Sequence, residues 1–444
     1  MHDQGEKLRL CVERMAYGPE AVAHDDDGKV VFVAGAVPGD VVMARVTQDS
    51  PTLCHAVVEE VVEAGPDRVT PSQDLTGLGG ACPWAHLSRA GQLQAKRSNV
   101  VDTLTRVGHF DHERAEALVT PCEDPGDAWG YRNKVELTVE RQGDRLVLGM
   151  FDPTVGCAVR IDSCPLLPKR FARLTKSVAG ALSYLSTSNK IDLERVGIRV
   201  SQRTGDLEVA LWGPTGPFPR AHVAKVIGDA TKASSVVRVM TKGPMKARRV
   251  AGVERLAGAG SWSERMGDEV MRLSAPSFFQ VNTKGAERLV QLVMEALNPS
   301  EGDEAMDLYC GAGTFTLPLA RRAGFVSAVE SYGPAVRDLR RNLEVAGLDN
   351  VDAVGGDAGR EFPDTDADVI VVDPPRAGLA KDVVEQLSAQ PARAIAYVSC
   401  DPATLARDLA RFEEEGTFRP VRVTPVDLFP QTYHVETVTL LERQ

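Results

Sequence analysis

The 444-residue chain predicts an α/β protein in three parts: a small β-barrel over 1–64, a central α/β lobe over 65–262, and a doubly wound parallel sheet over 263–444. Three observations predict this. From residue 284 onward, short apolar runs alternate with amphipathic stretches of roughly 10–15 residues, the signature of strand–helix units on a parallel sheet. Residues 1–64 hold several β-rich runs separated by turn residues. Between these parts, residues 160–260 carry 18 Lys and Arg against 7 Asp and Glu, a sharp compositional break.

Each element is set by local pattern. In the first part, Leu8 to Val12, Lys29 to Val33, Asp40 to Val46 and Ala56 to Val62 read as strands, with turns at Gly18-Pro19, Asp25-Asp26-Asp27-Gly28 and Pro38-Gly39. Such short strands close readily into a barrel of the kind that binds oligonucleotides. Leu93, Val100, Val101, Leu104 and Val107 share one face of a helix over 91–107, in a position to pack on the C-terminal domain. The central lobe mixes strands at 134–140, 146–150, 195–200, 207–211 and 235–240 with shorter helical pieces. The last part opens with a helix at 284–297. Strands at 305–309, 325–329, 351–354, 369–372 and 394–398 then alternate with helices at 313–323, 334–346, 380–388 and 402–415. Two closing strands, 421–427 and 434–441, read as an antiparallel end to the sheet.

Composition narrows the function. Hydrophobic residues at 43% and charged residues at 25% exclude a disordered chain. The net charge of −11 argues against nucleic acid only while it is taken whole. Residues 1–159 carry −10, residues 160–260 carry +11 and residues 301–444 carry −11, so a basic centre lies between acidic flanks. No apolar run of about 18 residues exists, so no membrane partner is expected. The N-terminus lacks the apolar core of a signal peptide, so a cytoplasmic location is expected. Cys11, Cys54, Cys82, Cys122, Cys157, Cys164, Cys310 and Cys400 form no Cys-x-x-Cys pair, and neither a disulfide framework nor a zinc site is expected. A monomer is the default expectation.

The first strand of the parallel sheet runs into Asp307-Leu308-Tyr309-Cys310-Gly311-Ala312-Gly313-Thr314. Strand, Gly-x-Gly and helix let the backbone approach a ligand at the carboxyl edge of the sheet. Glu330 ends the next strand, placed to accept from ribose hydroxyls, and Asp357 ends the one after, placed for a base amino group. Thr316 stands where a dinucleotide fingerprint has its third glycine, which favours a ligand without a pyrophosphate, S-adenosylmethionine. Cys310, inside the turn, reads as structural.

Two further strand ends lead into Asp373-Pro374-Pro375-Arg376-Ala377-Gly378 and Ser399-Cys400-Asp401-Pro402. Proline fixes the backbone at both, and both lie on the edge that carries the glycine turn. Cys400 just before a helix N-terminus is expected to have a stabilised thiolate. Glu436 enters the last strand beside apolar Val435 and Val438 and is a candidate base.

These segments, with 307–318, 399–404 and 429–437, resemble the uracil-5 RNA methyltransferases. Phe278-Phe279-Gln280-Val281-Asn282 and Tyr131-Arg132-Asn133-Lys134 match two further motifs of that family, and Gly18, Phe32-Val33 and Pro38-Gly39-Asp40 look like its TRAM domain. The resemblance covers nearly the whole chain. It implies a Rossmann-like class I methyltransferase domain, a central RNA-binding lobe and an OB-like TRAM barrel. It also implies methyl transfer from S-adenosyl-L-methionine to C5 of a uridine in RNA, with 23S rRNA favoured over tRNA. Cys400 would be the nucleophile at C6, Glu436 the general base, and Asp373 would orient the base. Gln280, Tyr309, Gly311, Gly313, Thr314, Glu330, Asp357 and Asp373 would hold the cofactor. RNA contacts are expected at Tyr131, Arg132, Lys134, Lys242, Lys246, Arg248 and Arg249.

Many members carry four cysteines for an iron–sulfur cluster, three of them after the barrel. Here Cys82 matches one of those three and Cys164 matches the fourth. Two thiolates cannot supply four ligands, so no cluster is expected. A methyltransferase acting on an amino group is disfavoured by Arg376, which stands where that chemistry uses an aromatic residue. An RNA-binding or chaperone protein with a degenerate methyltransferase domain is the alternative reading, and intact Gln280, Cys400 and Glu436 argue against it.

Overall fold

A computed structural model describes residues 2–78, 80–143, 145–152, 156–188, 191–244 and 248–444. Lys246 lies outside the described residues. At the N-terminus, β1 (Lys7–Met15), β2 (Ala21–His24), β3 (Val30–Ala34), β4 (Val41–Asp49) and β5 (Leu53–Glu63) close into a barrel of order β1-β2-β3-β5-β4. Period-two alternation sends Leu10, Val12, Val31, Val33, Val42 and Val46 into its core and turns Phe32 outward. Buried Asp40 ties the barrel exit, accepting from Val37 N (2.8 Å), Gly65 N (2.9 Å) and Arg68 Nε (2.9 Å).

Helix α1 (Arg89–Arg106), capped by Ser88, and α2 (His112–Leu118) come next. Their Val100, Val101, Leu104 and Ala115 pack in the same core as the C-terminal sheet, not in the core of the middle lobe. The middle lobe contains β6 (Lys134–Gln142), β7 (Arg145–Asp152), β8 (Cys157–Arg160), α3 (Leu174–Ser188), β9 (Arg195–Val200), β10 (Leu207–Pro214), α4 (Arg220–Thr231), β11 (Ser235–Lys242) and β12 (Arg249–Gly258). Its seven strands run in the order β12-β11-β10-β9-β6-β7-β8, all antiparallel except β10 with β11. Where the pattern indicated short helical pieces, α3 spans 15 residues and α4 spans 12. Ser- and Thr-rich α3 has weak local propensity, and burial of Val178, Leu182 and Leu185 overrides it.

A hairpin, β13 (Trp262–Met266) and β14 (Glu269–Leu273), leads to α5 (Thr283–Leu297). The C-terminal sheet is built from β15 (Glu304–Leu308), α6 (Thr316–Ala320), β16 (Phe325–Glu330), α7 (Gly333–Ala346), β17 (Val351–Gly355), β18 (Val369–Val372), α8 (Lys381–Ala389), β19 (Ala394–Ser399), α9 (Pro402–Glu415), β20 (Phe418–Val426) and β21 (Glu436–Arg443). The helix expected over 313–323 shrinks to α6, because residues before it form turns with Gly311 and Gly313 at positive φ. The order β17-β16-β15-β18-β19-β21-β20 reverses direction between β15 and β18. That crevice is where doubly wound sheets bind ligands. Among the described residues, no helix is long and apolar enough to cross a membrane.

Candidate active site

The segments directly after the strands line the crevice. Tyr309, next after β15, has φ +65°, and its N–H donates to Val329 O (2.8 Å). A non-glycine residue in this region is strained and is held there by its surroundings. Gly311 (φ +58°) donates its N–H to Glu330 Oε2 (3.0 Å), and Tyr332 N donates to Glu330 Oε1 (2.6 Å). Two backbone donors thus fix the Glu330 carboxylate. A Cβ on Gly311 would meet nothing within 4 Å, so the turn keeps an open side; one on Gly313 would lie 2.4 Å from Leu317 Cδ1. At Gly313 a side chain would strain the backbone (φ +103°) and press on Leu317, while Gly311 borders open space. Thr314 is half-buried in the same turn. Asp357 does not end β17 as expected: the strand stops at Gly355, and exposed Asp357 accepts from Gly359 N (3.2 Å).

Four carboxyl groups converge here. Asp307 is fully buried; its Oδ2 accepts from Thr316 Oγ1 (2.6 Å) and its Oδ1 has no partner. Burial, with Glu330 adding to it, raises Asp307 to about 7. Burial, then the charges of Asp307 and Glu330, raise Asp373 to about 8. Glu436 is 3% exposed and its Oε2 has no partner. Burial and Asp373 push it well above the usual carboxylate range. Like charges in a low dielectric hold protons in this way until a cation joins them.

Antiparallel pairing builds the chemistry pair. β19 and β21 are in register at Ser399 and Thr437, so Cys400 and Glu436 face each other one step beyond. Thr437 Oγ1 donates to Ser399 O (3.2 Å) and pins that end of the ladder. The expected thiolate stabilisation is overturned. Asp401 caps α9, accepting from Ala403 N and Thr404 N (both 3.0 Å), so its carboxylate, not the sulfur, takes the free N–H groups. Burial, then Glu436 and Asp373, push the Cys400 thiol up to about 12, while Arg376 pulls it down.

The strap 427–435 that delivers Glu436 is tied to distant parts of the chain. Fully buried Lys96 of α1 donates to Asp427, to Phe429 O (3.1 Å) and to His434 O (2.7 Å). Gln92 Nε2 donates to Gln431 Oε1 (3.0 Å), and Gln431 N, at φ +71°, donates back to Gln92 Oε1 (2.9 Å). Tyr131 Oη donates to Pro430 O (3.1 Å). Tyr131 is thus a buried buttress of the strap rather than an exposed surface aromatic, and Arg132 lies over its ring at 5.9 Å. Lys134 is also not free: it pairs with Glu136 (2.7 Å). Gln280 is 4% exposed, and its main-chain carbonyl accepts from Asn133 Nδ2 (2.9 Å).

Lys242 and Arg249 face each other across β11 and β12 at the sheet edge, both exposed, and Arg248 pairs with Glu194. Lys96, Asp427 and Tyr17 join the site or its frame without having been singled out in the sequence, and Arg376 and Asp401, quoted there within their motifs, were given no role in the site. Only Asp401, before Pro402 and a helix, had a local capping signal.

Cys82 and Cys164 sit together in the middle core, where burial raises Cys82 to about 12 and raises Cys164 as well. No group of three or more metal-ligating side chains occurs among the described residues. Cys82 and Cys164 are two buried thiols, against the four ligands that an iron–sulfur cluster takes.

Comparisons with known proteins agree with this architecture. Residues 266–444 match the tRNA (Uracil-5-)-methyltransferase family, and residues 3–58 match the TRAM domain. An uncharacterized RNA methyltransferase of Thermosynechococcus vestitus is 33% identical over 447 residues, covering 99% of this chain and 98% of that protein. One of Streptomyces coelicolor is 33% identical, covering 99% of this chain and 93% of its own length. The crystal structure of the Pyrococcus abyssi tRNA (uracil-54, C5)-methyltransferase with S-adenosyl-L-homocysteine superposes with a TM-score of 0.74 at 25% identity. It covers 98% of this chain and 99% of that one. With its carboxyl-lined crevice, its cysteine–glutamate strand pair and its N-terminal barrel, the chain belongs to the uracil-5 RNA methyltransferases and carries their TRAM domain.

Proposed function

We propose that the protein methylates C5 of a uridine in RNA with S-adenosyl-L-methionine, through a transient bond from Cys400 Sγ to C6 of the base. The observation that carries this reading is the cross-strand pair of Cys400 and Glu436 beside the carboxyl cluster. Gln280, Tyr309, Gly311, Gly313, Thr314, Glu330, Asp357 and Asp373 would hold the cofactor. When bound, the cofactor supplies an electrophilic methyl group on a cationic sulfur. A cation is what this cluster lacks, and its charge would draw protons off Asp307, Asp373 and Glu436.

C5 of uracil is a poor nucleophile until a bond at C6 makes it one. Cys400 releases its proton to solvent and its Sγ adds at C6, the C5–C6 π pair moves to the C5 enolate, and C5 takes the methyl group, with S-adenosyl-L-homocysteine as the leaving group. Glu436 then accepts the C5 proton, the C6–S bond breaks, and Cys400 leaves as the thiolate. Once the positive charge in the crevice is spent, the neighbouring carboxylates again favour proton uptake by Glu436. Its basicity therefore rises at the stage where it must act. Asp373, which feels Asp307 and Glu330 and is felt by both Cys400 and Glu436, orients the base.

The substrate class is 23S rRNA in the first reading, because of the barrel. The second reading, tRNA, is favoured by the Pyrococcus abyssi enzyme, which acts on tRNA and matches this chain over the barrel too. Mapping 5-methyluridine in tRNA and rRNA from a deletion strain by mass spectrometry separates the two. The mechanism is tested with 5-fluorouridine RNA: the wild type should trap a covalent adduct and Cys400→Ser should not. Equal trapping would remove Cys400 as nucleophile.

A further inference from the structure

Asp408 of α9 is fully buried and collects four donors on one carboxylate. Its Oδ2 accepts from Leu379 N (2.8 Å) and Tyr397 Oη (2.8 Å), and its Oδ1 accepts from Arg407 Nε (2.9 Å) and Arg411 Nη1 (3.1 Å). Tyr397 is itself buried in β19, three residues before Cys400. Burial, then the charge of Asp408, keeps its hydroxyl protonated and so a donor. Leu379 closes the loop 373–379 that follows β18. The two arginines extend the hold on that loop: Arg407 Nη2 donates to Ala377 O (2.8 Å) and Arg411 Nη1 to Leu379 O (3.1 Å). Gly378, at φ +72°, lets the loop come this close, since a Cβ there would lie 2.5 Å from both Asp408 Oδ2 and Arg407 Nη2. One side chain thus joins the loop of Asp373 and Arg376 to the strand and the helix on either side of Cys400.

Stability alone does not call for this arrangement. A buried charge with its partners is often no more stabilising than an apolar side chain of similar volume. What four donors on one carboxylate supply is a fixed spacing. The group that needs it is Arg376, on the exposed part of the loop, which makes no ion pair or hydrogen bond with a described residue. Its place is therefore set by the backbone beneath it. Its charge nevertheless acts on groups from other segments: it pulls down Cys400 after β19, Glu436 of β21 and His434 of the strap. At Cys400 it opposes Glu436, Asp373 and Asp401. The cation that tempers the crevice is thus held by a buried carboxylate whose own partners are Leu379, Tyr397 and two arginines.

We propose that Asp408 is a positioning residue for the methyl transfer: through Leu379 and Tyr397 it fixes the loop that carries Arg376 relative to Cys400 and Glu436, without touching the reacting atoms. The proposal rests on the RNA-methylation reading above. Full-length protein is assayed for the single-turnover rate of Cys400 adduct formation on 5-fluorouridine RNA and for methyl transfer to unmodified RNA, both at saturating S-adenosyl-L-methionine. Asp408→Asn, which keeps the size and drops the charge, should slow both by about 30-fold, as a displacement near 1 Å does, while KM for RNA stays within about threefold. Tyr397→Phe, which removes one donor and leaves the ring, should slow both by about threefold and carries the test if Asp408→Asn fails to fold. The decisive readout is coupling to Arg376. In an Arg376→Ala background, Asp408→Asn or Tyr397→Phe should slow the reaction by less than about twofold further, because the group they position is gone. A purely structural Asp408 would instead cost the same factor in both backgrounds, and that result would overturn the proposal. So would wild-type rates in both folded single variants. If the wild type forms no adduct, yet Asp408→Asn slows methyl transfer and loses that effect beside Arg376→Ala, the covalent reading fails and the role of Asp408 stands.

Discussion

The molecule contains two seven-stranded sheets that treat charge in opposite ways. In the middle sheet, acids meet cations: Glu136 lies between Lys134 and Arg195, Glu194 meets Arg248, Glu254 meets Arg220, and buried Arg199 stands near Glu208 at 3.8 Å. In the C-terminal sheet, Asp307, Glu330, Asp373 and Glu436 crowd one crevice, and Arg376 is the cation that offsets them at Glu436. Paired charges hold a fold together, whereas a cluster of like charges raises its own proton affinity and needs a ligand to relieve it. The comparison teaches that the functional sheet is the one whose charges are left unbalanced.

The sharpest way to break this contrast is at Glu436. Glu436→Gln should lower turnover by about 10²–10⁴-fold while the Cys400 adduct still forms and persists, seen by denaturing gel on unmodified RNA. The same change at Glu136, in the paired sheet, should leave turnover within a factor of about two, because exposed pairs contribute little. Next in size is Lys96→Met, which leaves Asp427 charged and buried beside Arg89 alone. It should destabilise by about 3–5 kcal/mol in urea unfolding, with m unchanged.

A pH series sharpens the comparison further. Asp307 and Asp373 keep their protons to about 7 and about 8 when folded, against ordinary values of 3.8. Between these limits the folded state binds more protons than the unfolded one, so the ligand-free protein should lose stability as pH rises from about 4 to 8. Affinity for a cationic cofactor should rise over pH 6–8 by up to about tenfold per unit, with proton release visible by calorimetry in buffers of different ionisation enthalpy. Asp307→Asn should flatten the Tm profile; an unchanged slope would show that the cluster is already neutralised. The smallest effect is expected at the edge of the middle sheet. Replacing both Lys242 and Arg249 by Ala should lower the salt slope of RNA binding by about 1.4 and leave kcat unchanged.

The parallel sheet was legible in the sequence because each strand end is marked by local chemistry: glycine after β15, an acid closing β16, Asp-Pro after β18 and Cys-Asp-Pro after β19. The ionisation of Cys400 was not legible. Its helix position pointed to a thiolate, but Asp401 takes the N–H groups and Glu436, far along the chain, sets the field. The partners of Tyr131 and Lys134 were not legible either: the tyrosine hydroxyl meets Pro430, distant in the chain, and the ammonium meets Glu136 on the same strand. Tyr17 carried no local signal, since what places it is the packing of a barrel turn against residues near the end of the chain.

The Lys96–Asp427 tie spans 331 residues and bears on how the enzyme is born. A ribosome working at about 5–20 residues per second releases α1 on the order of tens of seconds before the strap it must grip. Until then the ammonium of Lys96 stays hydrated, because Asp427 has not been made. The barrel can close on its own strands in that interval, but the base cannot be positioned. Chemistry is therefore withheld from every nascent chain that has not yet delivered β21, and a partial protein can meet RNA without modifying it.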